Sequence, residues 1–299
     1  MTTHELPELI IAEHQPTSAN SKLATIKTIL VHLQDDESLN VRLDNALAMA
    51  RACSAHVTCL HITPIEAYVA FDSFGGVFVM NDIIKALDES EAALRSRIEE
   101  RLRAEDVSWN YEQTTGSAES QIISRAALAD IVVVGRSPHR SDFAGPAIGV
   151  LGELICKSRT PLFIPSDNGI QCDPNGAALI AWDGSYEAAN AVRSAVGLLK
   201  LASNVKVLTI QEKDEVFPGT RLLEYLSRYG IHAELSVKTA GPNSRNPEFV
   251  AAALIKEALL SRAYLVMGGY NHSRVREYVF GGVTRNMLSG APVPLLIAR

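Results

Sequence analysis

No apolar run in this chain approaches the roughly 20 residues that a membrane-crossing helix needs, and no membrane partner is expected. The amino-terminal residues also lack a basic stretch followed by an apolar core and a small-residue cleavage site, so a cytoplasmic location is expected. Cysteine is sparse: Cys53, Cys59, Cys156 and Cys172 are scattered, form no C-x-x-C pair, and have no histidine spaced to complete a zinc site. They read as small buried hydrophobes of a reducing compartment, and no metal is expected. Excess positive charge is missing as well. A net charge of −6 argues against a nucleic-acid surface, where clustered Lys and Arg would be needed. The motifs G-x-x-x-x-G-K-[ST], H-E-x-x-H and G-x-S-x-G are all absent, so no residue is singled out as catalytic.

What is present is apolar and periodic. With 299 residues, 47% hydrophobic and 21% charged, the chain is long enough for two globular domains and too apolar to be disordered. Residues 1–25 are polar and without sustained periodicity, and read as an arm. Residues 26–165 then run through a strand at 26–33, a helix at 38–53 with Leu43, Leu47 and Ala50 on one face, and a strand at 56–62. A long helix at about 82–103 carries Ile83, Leu87, Leu94, Ile98 and Leu102 on a common side. A strand at 109–114, a helix at 120–129, a buried strand at 131–134, a helix at 148–157 and a strand at 161–164 complete this part.

Residues 166–176, dense in turn formers, read as a linker. After it the order begins again over 177–299: strands at 178–182, 205–210, 232–238, 264–267 and 293–298, with helices at 186–201, 220–229, 247–262 and 281–289. Two alternating strand-helix series predict an α/β fold of two tandem, doubly wound parallel sheets, each with helices on both faces.

The most informative stretch runs from Met267 to Thr284. It joins a buried strand to a helix through glycines, polar residues and arginines. A helix's first turn leaves backbone N–H groups unpartnered and carries partial positive charge, so this segment has the makings of a phosphate cradle. Gly281 and Gly282, without Cβ atoms, would let that backbone come close to a ligand. The strand before it delivers the loop to the carboxyl edge of a sheet, where open α/β sheets bind ligands.

The spacing Gly268, two residues, Asn271, nine residues, Gly281-Gly282-Val283-Thr284 resembles the nucleotide loop of the universal stress proteins. That family usually has glycine where Asn271 stands and serine or threonine where Gly282 stands. Leu179 to Ser185 resembles its first strand ending in an aspartate, and Pro294 to Ala298 its last strand. The resemblance implies strand order 3-2-1-4-5 in each half (the Rossmann-like adenine nucleotide alpha hydrolase type), related by a pseudo-twofold that pairs the two last strands. It implies an ATP- or AMP-binding module in stress response or signalling, with Mg beside a triphosphate and at most slow ATP hydrolysis by positioning and charge. Asp183 would take the adenine amine, Gly268, Gly269 and Asn271 the ribose and phosphate turn, and Gly281, Gly282, Val283 and Thr284 the phosphates. His272 and Arg274 would add charge-assisted bonds, and Ser185 and Ile210 complete the candidate set. Restoring a hydroxyl by Gly282→Ser is expected to tighten phosphate binding.

The bland readings stand beside these. Asp183-Gly184-Ser185 is also an ordinary strand-to-helix turn whose Asp or Ser caps the next helix. A scaffold that keeps the fold, pairs through its last strands or as a homodimer, and engages an unknown protein partner without nucleotide is the alternative function. The first half is chemically poorer: Gln34 stands where the second has Asp183, and Ile148 where it has Gly281. It reads as a degenerate site. The aromatic segment 68–80 has no counterpart in the second half and reads as a loop folded back on its domain. Asp35, Asp36 and Glu37 read as dipole complements at a helix start.

Overall fold

The computed structural model describes residues 26–64, 77–136, 149–166, 171–210, 217–238, 246–269 and 281–299. The first half contains β1 (Thr28–Leu33), α1 (Leu39–Cys53), β2 (His56–Thr63), α2 (Val77–Arg103), β3 (Trp109–Thr115), α3 (Ala118–Ala126), β4 (Ile131–Val133), α4 (Gly149–Lys157) and β5 (Leu162–Ile164). The second contains β6 (Ala177–Ala181), α5 (Tyr186–Leu199), β7 (Asn204–Ile210), α6 (Gly219–Arg228), β8 (Ala233–Lys238), α7 (Pro247–Ser261), β9 (Tyr264–Gly268), α8 (Gly282–Leu288) and β10 (Leu295–Ala298).

The helices start where local chemistry satisfies their first N–H groups. Ser117 and Ser185 accept from Ser120 N and Ala188 N, and Asn246 accepts from Glu248 N ahead of Pro247 at the first helical position. The strands are apolar runs: all residues of β4, β5 and β10 are buried, as a parallel sheet covered on both faces requires.

The ten strands form one continuous sheet in the order β3-β2-β1-β4-β5-β10-β9-β6-β7-β8. Each half is parallel and has the expected 3-2-1-4-5 order, and the halves join where β5 and β10 pair antiparallel. In register, β1 against β4 matches β6 against β9, so Leu30 corresponds to Leu179 and Val132 to Leu265. The same matching makes Phe163 the counterpart of Leu296. Those two residues pair with each other across the seam, so the pseudo-twofold passes between them. One apolar layer lies under α1, α2, α5 and α6, and the other under α3, α4, α7 and α8.

One element differs from expectation. α2 begins at Val77, five residues early, so the end of segment 68–80 is helix; its residues up to 76 lie outside the described set. At 27 residues α2 is about 40 Å long, far longer than its 10-residue counterpart α6. Leu94, Ile98 and Leu102 are buried, but Leu87 is only half-buried and Lys85, Asp88 and Glu89 are exposed. Among the described side chains from residue 84 onward, the common apolar side thus meets the core in the later turns. In the second half of the 166–176 stretch, Cys172 is buried and its N–H donates to Asn45 Oδ1 of α1 at 3.2 Å. All four cysteines are free thiols, and burial raises Cys53 to about 11 and Cys59 to about 12.

Candidate functional site

In the second half the neighbours of β6 are β7 on one side and β9 on the other, so the carboxyl ends of β6 and β9 flank a topological switch point. Asp183 follows β6 there and is exposed. Its Oδ1 accepts from Ser185 N at 3.0 Å and Ser185 Oγ at 2.6 Å, while Ser185 Oγ accepts from Ala188 N at 3.1 Å and caps α5. The capping reading therefore describes both residues. Gly184 has φ +73°, and an added Cβ would lie 3.0 Å from Phe217 O, which also accepts from Trp182 Nε1 at 2.9 Å. Backbone and indole together hold the turn that presents Asp183.

Gly268 and Gly269 are small because neighbours leave no room. A Cβ on Gly268 would sit 2.5 Å from Ala188 N in the first turn of α5, and one on Gly269 would sit 2.9 Å from Ile155 Cγ2. Ile210 ends β7, half-buried beside this edge. Gly281 precedes α8 without a side-chain cap, and nothing lies within 4 Å of where its Cβ would be. No described residue covers that end of the helix. Val283 packs against the apolar layer and Thr284 is buried at 5% exposure. Asn271, His272 and Arg274 lie outside the described residues.

Gly282 has a different explanation from the expected close approach to a ligand. A Cβ there would lie 2.5 Å from Cβ and 2.6 Å from Cγ of Pro247, the first residue of α7. A serine in this position must displace a proline ring fixed at a helix start. Gly282→Ser is therefore expected to cost about 1–3 kcal/mol of stability and to leave phosphate affinity no tighter, reversing the sequence expectation. Denaturant unfolding of this variant, in the unmodified and Pro247→Gly backgrounds, checks it: with both Cβ and Cγ gone from position 247, the serine should cost less.

The first half places Gly135 in register with Gly268, but fills the space above it with a side chain. Arg42, only 1% exposed, lies so close that a Cβ on Gly135 would be 2.4 Å from its Nη1. Its Nε donates to His32 O at 3.2 Å, Nη2 to Gln34 O at 2.6 Å, and Nη1 to Asp36 Oδ2 at 3.0 Å. Asp36 is thus an ion-pair partner of Arg42 as well as an acid at a helix start, where its Oδ1 accepts from Ser38 N at 2.9 Å. Counted from the residue before each helix, Ser38 and Ser185, the counterpart of Arg42 is Ala189. Nearby, buried Glu91 of α2 accepts from Thr63 Oγ1 and, at 2.7 Å, from Gln113 Nε2. The Arg42 side chain thus lies over the ends of β1 and β4, at the first-half switch point. Sequence reading missed Arg42, although an arginine between Leu39 and Leu43 inside an apolar helix stripe was the available signal.

His32 titrates with this plug. Burial, then the Arg42 charge, then His61 push its pKa down to about 3. The folded protein binds the neutral ring, whereas the unfolded chain takes up a proton near pH 6.5. Stability from this group is complete above pH 6.5 and is lost progressively as pH falls toward 3. Between pH 7 and 5 the loss is on the order of 1–2 kcal/mol, and His32→Gln should flatten that part of a urea-unfolding pH profile.

Among the described residues no three His, Cys, Asp or Glu side chains gather into a potential metal site. The exposed carboxylate, the α8 start without a side-chain cap and the glycine-tight turn fit an adenylate; a side-chain hydroxyl donor at position 282 does not fit.

No protein-family model matches the sequence, and no curated protein sequence matches it. Solved structures do. A universal stress protein from Archaeoglobus fulgidus DSM 4304 superposes with a TM-score of 0.66 at 14% identity, over 93% of this chain and 98% of that one. The chain has the universal stress protein fold. A protein from Pseudomonas aeruginosa UCBPP-PA14, provisionally described as a universal stress protein, gives 0.56 at 15% identity over 93% and 95%. A functionally unknown protein from Pseudomonas aeruginosa PAO1 gives 0.55 at 15% over 92% and 93%. Each match spans both halves, so the tandem arrangement of this fold is shared over nearly the whole length. No helix among the described residues is long and apolar enough to cross a membrane.

Proposed function

We propose that this protein is a tandem member of the universal stress protein family whose second half binds an adenine nucleotide, ATP or AMP, in stress response or signalling. The observation carrying this reading is the contrast between the two switch points: Arg42 covers the first, while Ala189 stands at its counterpart beside the exposed Asp183. Asp183 accepts from the exocyclic amine of adenine, and its turn with Ser185 fixes the carboxylate's direction. The N–H groups opening α8 after Gly281 meet phosphate oxygens through main chain alone, because Pro247 excludes a side chain from Gly282. Asn271, His272 and Arg274, with Gly268 and Gly269, carry the ribose and the remaining phosphate charge in this reading.

Mass spectrometry of small molecules released when the purified protein is denatured tests the proposal. A bound adenylate is expected. An empty protein that also gives no heat with added ATP or AMP would leave the alternative of an interaction scaffold, with the two halves paired through β5 and β10.

A further inference from the structure

A cleft of about 500 Å³ opens at the seam on the side where β10 ends, bounded by the end of α4 from the first half and the start of α5 from the second. That volume lies within the range of small-molecule sites. Lys157, Arg159 and Arg299 line it, against Glu187 as the acidic residue of the lining, and Tyr186 stands at its rim. Lys157 pairs with Glu153, and Arg299 Nη1 donates to Cys156 O at 3.3 Å; a bound anion would share these cations. Arg159 is exposed. Tyr186 is 76% exposed, with its ring held edge to face by Phe217 at a centroid distance of 6.0 Å. A tyrosine so placed presents an aromatic surface of low conformational freedom.

Comparison of the two sides of the seam gives this chemistry its meaning. The register that matches Leu162 with Leu295 places Lys157 opposite Gly290, Arg159 opposite Pro292 and Arg299 opposite Ser166. Tyr186 corresponds to buried Leu39, the residue at the same place in α1. The strands meet symmetrically at the seam, so its packing places the same demand on both sides. Yet the cations and the exposed ring collect on one side only. Charge and aromatic surface are therefore not what holds the halves together.

We propose that this seam cleft is a second binding site, distinct from the Asp183 switch point, for a small aromatic anion: its ring lies against Tyr186 and its phosphate or carboxylate among Lys157, Arg159 and Arg299. The site exists only because the two halves are joined, since α4 and α5 supply opposite walls.

Titration calorimetry of the full chain with phenyl phosphate at low salt tests it, with benzoate and inorganic phosphate as comparisons. One equivalent of phenyl phosphate should bind, weakened roughly tenfold by Arg159→Glu and several-fold by Tyr186→Ala, and unchanged by Asp183→Ala. Inorganic phosphate should bind more weakly and ignore Tyr186→Ala. Tighter binding of either phenyl phosphate or benzoate supports the site and assigns its anionic group. Absence of binding to the unmodified protein, undiminished affinity in a folded Arg159→Glu variant, or inorganic phosphate binding as tightly as phenyl phosphate would overturn it. Loss of binding in Asp183→Ala would also overturn it, by placing the probe at the switch point instead.

Discussion

Asp183→Asn should weaken ATP and AMP binding about thirtyfold, while Gln34→Ala should leave both affinities unchanged. The asparagine keeps an oxygen for Ser185 N and Oγ, so the turn and the α5 cap survive. It replaces the other carboxylate oxygen with an amide NH₂, which faces the adenine amine donor to donor. Losing a hydrogen bond to a charged group costs about 2 kcal/mol, and about 1.4 kcal/mol is a factor of ten. Calorimetric titration of both variants measures it. Asp183→Ala should show a comparable loss of binding, with a small additional loss of stability from the turn. Equal effects at Asp183 and Gln34 would remove the proposed asymmetry between the halves.

Arg42→Ala should lower the unfolding free energy by about 3–5 kcal/mol without affecting nucleotide affinity in the second half. Arg42 and Asp36 are 1% and 13% exposed, and truncating the arginine leaves a shielded carboxylate and the His32 and Gln34 carbonyls without their donor. It also empties the space over Gly135. Urea denaturation gives the magnitude, and the double variant with Asp36→Ala should lose less than the sum of the single changes, because the two groups share one interaction. An unfolding midpoint equal to that of the unmodified protein would show that Arg42 is not the plug described here.

The order of strands and helices was legible because parallel strands covered on both faces must be unbroken apolar runs, as in Ile131 to Val133 and Leu295 to Ala298. The 3-2-1-4-5 order and the paired last strands were not written in periodicity; they came from the resemblance, and the pairing of Phe163 with Leu296 bears them out. The site was legible where chemistry is local. Asp183, Gly184 and Ser185 fix their own turn within three residues. It was illegible where the reason lay far along the chain: Gly282 is glycine because of Pro247, and Gly135 faces Arg42. A one-dimensional pattern carries the period of a helix but not which distant side chain crosses over a strand end. The seam cleft escaped notice for the same reason, since residues 157, 159, 186 and 299 meet only once both halves are folded and joined.

The stoichiometry of ATP binding to the intact chain tests the difference between the halves most directly. Titration calorimetry should give one site per chain, abolished or strongly weakened in Asp183→Asn. Two equivalent sites, or one that survives that substitution unchanged, would contradict a closed first half and a nucleotide site at the second-half switch point.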